Sequence, residues 1–278
     1  MPISTGAISS PSTAARHALD LDLTTIEFDD DAPFAKLPVP FSPRDQDGVE
    51  CCVSCAIVTA MEALDARLPD GELGGGLDPV EVQRGRATEL SPLFLHFATT
   101  RGQNRAVSPL AALESVARYG VCPARMHVRA INPQTVRVPP GQPVVRAAHA
   151  YRLKATRRGV QTRYYNQIRG PVTQQWKRLL LAECPVLAVI EVNAAYERMG
   201  LRKPDGLPVT IVHRKPVEWR GYYHCVTVLG FSNRLKAFYV VDSRGSSWGH
   251  GGAWWLPYRY ASTSLVVESW TISDLTYG

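Results

Sequence analysis

Three separated stretches of the chain carry side chains able to make and break an acyl bond: Cys51-Cys52-Val53-Ser54-Cys55, His224-Cys225-Val226 and Asp242-Ser243. After the first, Ile57, Met61, Leu64 and Leu68 recur at steps of three and four, a stripe that predicts a helix with one buried face. Ser54 is the expected N-cap, leaving Cys55 in the first turn. Unpaired N–H groups and the positive end of the helix dipole favour a thiolate there, the nucleophilic form of cysteine. The second and third stretches bound a predicted hairpin, His224–Phe231 and Lys236–Asp242, joined through the polar Ser232-Asn233-Arg234. A turn centred on Asn233 makes His224 and Asp242 cross-strand partners with Cβ atoms about 5 Å apart. One ring nitrogen then donates to the carboxylate, and the other is left to take a proton from a thiol.

Other readings of the same residues stand beside this one. Cys52-x-x-Cys55 before a helix is also the pattern of a thiol–disulfide exchange site, although no βαβ run surrounds it. Cys51, Cys52, Cys55, His224 and Cys225 are zinc-ligand types, but a second closely spaced pair is missing. A lone histidine among apolar residues is most often structural. Trp248, Trp254 and Trp255 read as core or groove wall, Cys184 and Cys225 as small core residues, and His250 as an exposed residue of a Gly-rich turn.

The elements that must hold these groups are legible from punctuation. Ser91-Pro92 and Ser108-Pro109 each place a cap before a proline at the first helical position, with Gly102 and Gly120 past the ends. A further helix is expected from Thr173 to Glu183, and a strand from Pro185 to Val192. Helices crowd the first half and strands the second, an α+β pattern, with the site in a groove between a helical part bearing Cys55 and a sheet part bearing His224.

With 278 residues, 45% of them hydrophobic, the chain can bury a substantial core. No apolar run reaches the roughly 18–20 residues that span a bilayer. Residues 1–36 read as a tail or short strap; they are polar, include Asp29-Asp30-Asp31 and lack the apolar core of a secretory signal. That favours a cytoplasmic location, or export without a cleavable leader. The net charge is +6, and the segment 125–178 holds many Arg and Lys, including Arg157-Arg158, with no Asp or Glu. It is either a solvated connection, extended and irregular around Pro139-Pro140 and Pro143, or a face for an anionic partner.

The blocks together resemble the papain-like (C1-type) cysteine peptidases. Cys52-Val53-Ser54-Cys55 is similar to that family's Cys-Gly-Ser-Cys, His224-Cys225-Val226 to its His-Ala-Val, and Asp242-Ser243-Arg244-Gly245-Ser246-Ser247-Trp248-Gly249 to its Asn-Ser-Trp-Gly region. The resemblance implies a two-lobe α+β fold over residues 37–278. A helical lobe falls mainly in 50–125 and an antiparallel β-sheet or barrel lobe mainly in 180–278, with the cleft between them. It also implies hydrolysis of a peptide or protein substrate through a thioester. Cys55 is then the nucleophile, His224 the base and acid, Asp242 the orienting group, and Gln46, with the Cys55 N–H, the oxyanion donor. No metal or organic cofactor is implied.

The departures from the family pattern are specific. Gln46 lies nine residues before Cys55, three more than the family spacing, so its loop must bulge. Val53 stands for Gly, Asp242 for Asn, Arg244 for a shielding Trp, and Ala56 for an aromatic. The Gly pair that meets substrate backbone aligns with Ala106-Val107. In the family the cysteine matching Cys52 is often disulfide-bonded, but no partner lies near residue 100, so reduced thiols are expected. The tail is too short for the family's helical prosegment. Acyl transfer to another amine, and a non-catalytic binding module that kept the fold, are the alternatives.

Overall fold

The computed structural model describes residues 6–8, 43–65, 89–157, 160–163, 165–169, 172–192, 196, 222–233, 235–262 and 265–272. Helix α1 (Cys52–Asp65) is buried from Cys52 through Ala63, more completely than one apolar stripe requires. The reason is its position: a sheet lies against it on one side, and α2 (Pro92–Thr100) and α3 (Pro109–Tyr119) on the other. Leu68, the last residue of the expected stripe, lies outside the described residues. Ser91 and Ser108 cap α2 and α3 as expected, accepting from Phe94 N–H (3.2 Å) and Ala111 N–H (3.3 Å). Arg101 is the left-handed cap that ends α2, and Gly102 lies past the end, as expected, with φ 78°.

The strands β1 (Gly6–Ala7), β4 (Tyr165–Ile168), β5 (Val186–Glu191), β6 (Tyr223–Ser232), β7 (Ala237–Val241), β8 (Ala253–Pro257) and β9 (Val266–Ile272) form one sheet. Its order is β4-β9-β5-β6-β7-β8, with β1 added beside β6 and every pair antiparallel. A separate hairpin pairs β2 (Lys154–Arg157) with β3 (Val160–Arg163).

Both faces of the sheet are covered, so its central strands need no polar alternation. On β5, Leu187 and Val189 face the α1 core, while Val186, Ala188 and Ile190 face a second core. That second core is closed by Trp176 of α5 (Val172–Leu181) and by Tyr260 of the short α6 (Tyr258–Ala261). Among the described residues no helix is long and apolar enough to cross a membrane.

The segment 125–178 is irregular around Pro139-Pro140, as its prolines suggest, but carries regular elements beyond them. Gly141 and Pro143 open α4 (Gln142–Ala148), because proline is tolerated where helix N–H groups have no acceptor. Strand β4, in the same segment, joins the main sheet against β9. Its arginines at 125, 129, 137 and 146 are exposed, and Arg129 is paired with Glu89 at 2.7 Å.

One buried ion pair anchors the approach to α1. Arg44 donates to Glu62 and to Thr59 Oγ1 (3.0 Å), and Glu62 also accepts from Leu90 N–H at 2.6 Å. Removing one partner strands the other charge in the core. Glu62→Ala is therefore expected to lower unfolding free energy by roughly 3–5 kcal/mol, measurable by urea denaturation.

Candidate active site

Strand β6 lies alongside α1 in a fixed register. The Cys225 N–H donates to Cys52 Sγ at 3.4 Å, and Thr227 Oγ1 donates to the Ala56 carbonyl at 2.8 Å. Four helical residues, at about 1.5 Å each, thus match two strand residues at about 3.3 Å each. Extended back by one residue, this register sets His224 level with the helix entrance. Cys52 is the first helical residue there, and Cys55 lies about 4.5 Å deeper along the axis.

His224 Nε2 and Asp242 Oδ1 are 2.8 Å apart, and both side chains are wholly buried. They meet diagonally rather than as direct partners. The strands pair Thr227 with Val241 and, beyond a bulge between Val228 and Gly230, Ser232 with Ala237. The turn therefore lies later than Asn233, and the register carried on by one residue sets Asp242 opposite Val226. His224 and Val226 share a face of β6, so the ring reaches one residue pair along to the carboxylate. The other ring nitrogen, Nδ1, has no hydrogen-bond partner among the described residues.

The helix start differs from the sequence expectation, and the difference moves the cysteine. The Cys55 N–H donates to the Cys51 carbonyl at 2.9 Å, so Cys51 occupies the cap position and Cys55 is already inside the helix. Ser54 is not the cap; its hydroxyl is buried without a partner among the described residues. The Cys55 N–H is committed to the helix and is not an oxyanion donor. Its sulfur meets Cys51 Sγ at 3.8 Å, in a small cluster with Val49, Leu93 and Val136. Cys52, not Cys55, is the residue at the helix start. The described cysteines are all free thiols, and the sulfur that Cys55 meets is not that of Cys52, its expected exchange partner.

Gln46 is drawn in from the other side. Its Oε1 accepts from Ser243 Oγ at 2.7 Å, its backbone N–H donates to the Ser243 carbonyl at 2.9 Å, and its Nε2 donates to the Val49 carbonyl at 3.0 Å. Asp47 and Gly48 both have positive φ, 37° and 74°, making the tight turn that Asp-Gly favours. Counted to Cys52 the spacing is six residues, so no bulge is needed.

Asp242 receives four donors. Oδ1 takes His224 Nε2 (2.8 Å) and Ser243 N–H (2.8 Å); Oδ2 takes the Tyr196 hydroxyl (2.9 Å) and Trp254 Nε1 (2.9 Å). Burial alone would push this carboxyl up. The His224 charge and hydrogen bond, the Arg244 charge and the Trp254 N–H outweigh it and hold the group below its ordinary range. For Cys52 the balance is reversed: burial pushes the thiol up strongly, against the Cys225 N–H.

Strand β1 closes this region. Gly6 pairs with His224 and Ala7 with Tyr223 along the β6 edge that β7 leaves uncovered, and Ile8 N–H donates to the Val107 carbonyl at 3.0 Å. Ala7 is buried in the same cluster as Cys52 and Val107.

The chain superimposes on xylellain, a cysteine protease from Xylella fastidiosa, with a TM-score of 0.72 over 98% of this chain and 97% of that one, at 17% identity. The fold is papain-like. Procathepsin B S9 of Trypanosoma congolense shares the papain-like fold with a TM-score of 0.65, 14% identity, and coverage of 99% of this chain and 86% of that one. In sequence, 54 residues are 39% identical to a peptidase C1-like protein of Acanthamoeba polyphaga mimivirus; they make up 19% of this chain and 17% of that relative. No protein-family model matches.

Two residues that the fold brings to this region, Cys52 and Tyr196, differ in what the sequence says of them. Cys52 had a signal: Gln46 precedes it by the family spacing that Cys55 violates. Tyr196 had none, because it belongs to no motif and reaches Asp242 only through tertiary folding.

Proposed function

We propose that the chain is a cysteine peptidase in which Cys52, not Cys55, is the nucleophile. The observation that carries this is the helix–strand register, in which the Cys52 sulfur accepts the N–H of Cys225, the residue next to the His224–Asp242 pair. His224 takes the Cys52 proton at Nδ1, and the sulfur attacks the scissile carbonyl. The same nitrogen delivers that proton to the leaving amine, and water then hydrolyses the thioester. Asp242 fixes the ring through Nε2. The oxyanion falls to N–H groups at the start of α1 and to the side chain of Gln46, a location that helix starts make favourable for negative charge. The substrate class is peptide or protein. An epoxide probe of cysteine peptidases is expected to leave one adduct, mapped by peptide mass spectrometry to Cys52. An adduct only on Cys55 or Cys51 would sink the assignment.

The burial of the site bears on how it works. Cys52 and His224 are both 0% exposed, so substrate must displace something. The segment 6–8 is the most economical covering to displace: it is short and held by edge pairing. Deleting residues 1–8 is expected to speed labelling severalfold and to extend it to lower pH. The sign follows from burial, which disfavours the thiolate; uncovering the sulfur lowers its pKa toward the ordinary value. The same burial favours a non-catalytic module as the second reading. Absence of labelling in both the full and the shortened chain would select it.

A further inference from the structure

Asp242 is a carboxylate at a position where the family it resembles has an amide, and its surroundings select the carboxylate. Trp254 Nε1 and the Tyr196 hydroxyl both point at Oδ2. An amide turned to accept His224 Nε2–H would set its own NH2 against the Trp254 N–H, two donors facing each other. The Tyr196 ring lies against the imidazole, with centroids 5.7 Å apart, and against Trp248 and Trp254 at 5.0 and 5.9 Å. Arg244 stacks over the rings of Tyr196 and Trp248, and its Nε donates to the Tyr196 hydroxyl at 2.9 Å. These rings cover the side of the histidine–carboxylate bond that Arg244, standing for a Trp, would otherwise have left open.

We propose that Tyr196 is a positioning residue for the His224 base, acting through Asp242. Its hydroxyl pins the carboxylate oxygen that His224 does not use, its ring closes one face of the imidazole, and Arg244 holds the tyrosine in place. This rests on the reading of His224 as the base. Four donors fix the carboxylate plane, and the plane fixes the direction in which Nε2–H must point, which aims Nδ1. The titratable and charged groups bearing on Asp242 are His224 from β6 and Tyr196, which bond it, and Arg244 from the loop after β7, with the Cys52 and Cys225 thiols within electrostatic reach. Burial and the Asp242 charge push the Tyr196 phenol well up, so it stays a donor throughout the working range.

Tyr196→Phe keeps the ring and removes the hydroxyl. The second-order rate of Cys52 labelling is expected to fall about five- to tenfold, with the acid limb of its pH profile moving toward neutrality, since the carboxylate loses a donor. In an Asp242→Asn background the same substitution is expected to change the rate less than about twofold. An equal factor in both backgrounds would assign Tyr196 a purely structural role and overturn the proposal. The Nε2 proton resonance of His224 is expected to shift downfield in Tyr196→Phe, because a carboxylate with one donor fewer is the stronger acceptor, and this reads the coupling even if no labelling occurs. Should the wild-type chain never label, the peptidase reading fails while the resonance still decides this one. If Tyr196→Phe does not fold, Arg244→Met serves: it is expected to move the same resonance in the same direction by less, and no movement overturns the proposal.

Discussion

Cys52→Ala is expected to abolish labelling and to lower peptide cleavage by at least about a thousandfold, while Cys55→Ala is expected to retain most of both. The asymmetry comes from three residues of helix. Cys52 is the first residue of α1, with its sulfur against the β6 backbone next to His224. Cys55 is one turn in, its N–H bonded to Cys51 and its sulfur among Val49, Leu93 and Val136. Replacing Cys55 removes a small buried side chain and should cost stability of about 1 kcal/mol, not chemistry. A thermal melt beside the kinetics separates the two effects. The reverse result, with Cys55→Ala inactive and Cys52→Ala active, would require α1 to slide by a turn against β6. The Thr227–Ala56 hydrogen bond opposes such a slide.

Asp242→Ala should be the most damaging change outside the nucleophile and base. It removes the acceptor for four donors at once and leaves Trp254 Nε1, the Tyr196 hydroxyl and His224 Nε2 buried without one. The expected loss is roughly 3–5 kcal/mol of unfolding free energy, together with at least about a hundredfold in kcat/KM. The pH dependence of stability carries a separate signature. The folded carboxyl titrates below its ordinary value. Its stabilisation is therefore full above the unfolded-state pKa, near 4, and is lost as pH falls through the folded value. Urea midpoints of the wild-type chain should drop more steeply between about pH 5 and pH 3 than those of Asp242→Asn, which has no carboxylate to protonate. Parallel slopes in the two proteins would show that Asp242 titrates alike in the folded and unfolded states, and a shallower drop in the wild type would show it neutral when folded.

Much of this architecture was readable from local chemistry. Ser91-Pro92 and Ser108-Pro109 announce helix starts because the cap and the proline act within one turn. The apolar run at Val186–Glu191 announces a strand covered on both sides. The His224–Asp242 hydrogen bond followed from a hairpin, although the bulge at Val228–Gly230 displaced its register from the one a centred turn would give. What was not readable depended on long-range partners. Ser54 has good cap chemistry, but the Asp47-Gly48 turn delivers the chain so that the helix begins earlier, at Cys52. The prolines near residue 143 read as extended chain when one of them opens a helix. Tyr196 entered only through its contacts.

The two-residue strand β1 also has a kinetic meaning. A two-residue edge pairing belongs to the least stable parts of a fold, where opening costs little compared with global unfolding. Its partner β6 is bonded along its other edge to β5 over six residue pairs, from Tyr223 to Val228. His224 thus stands on a seam between a breathing fringe and a static centre. Access to the sulfur can fluctuate quickly while the ring that serves it keeps still.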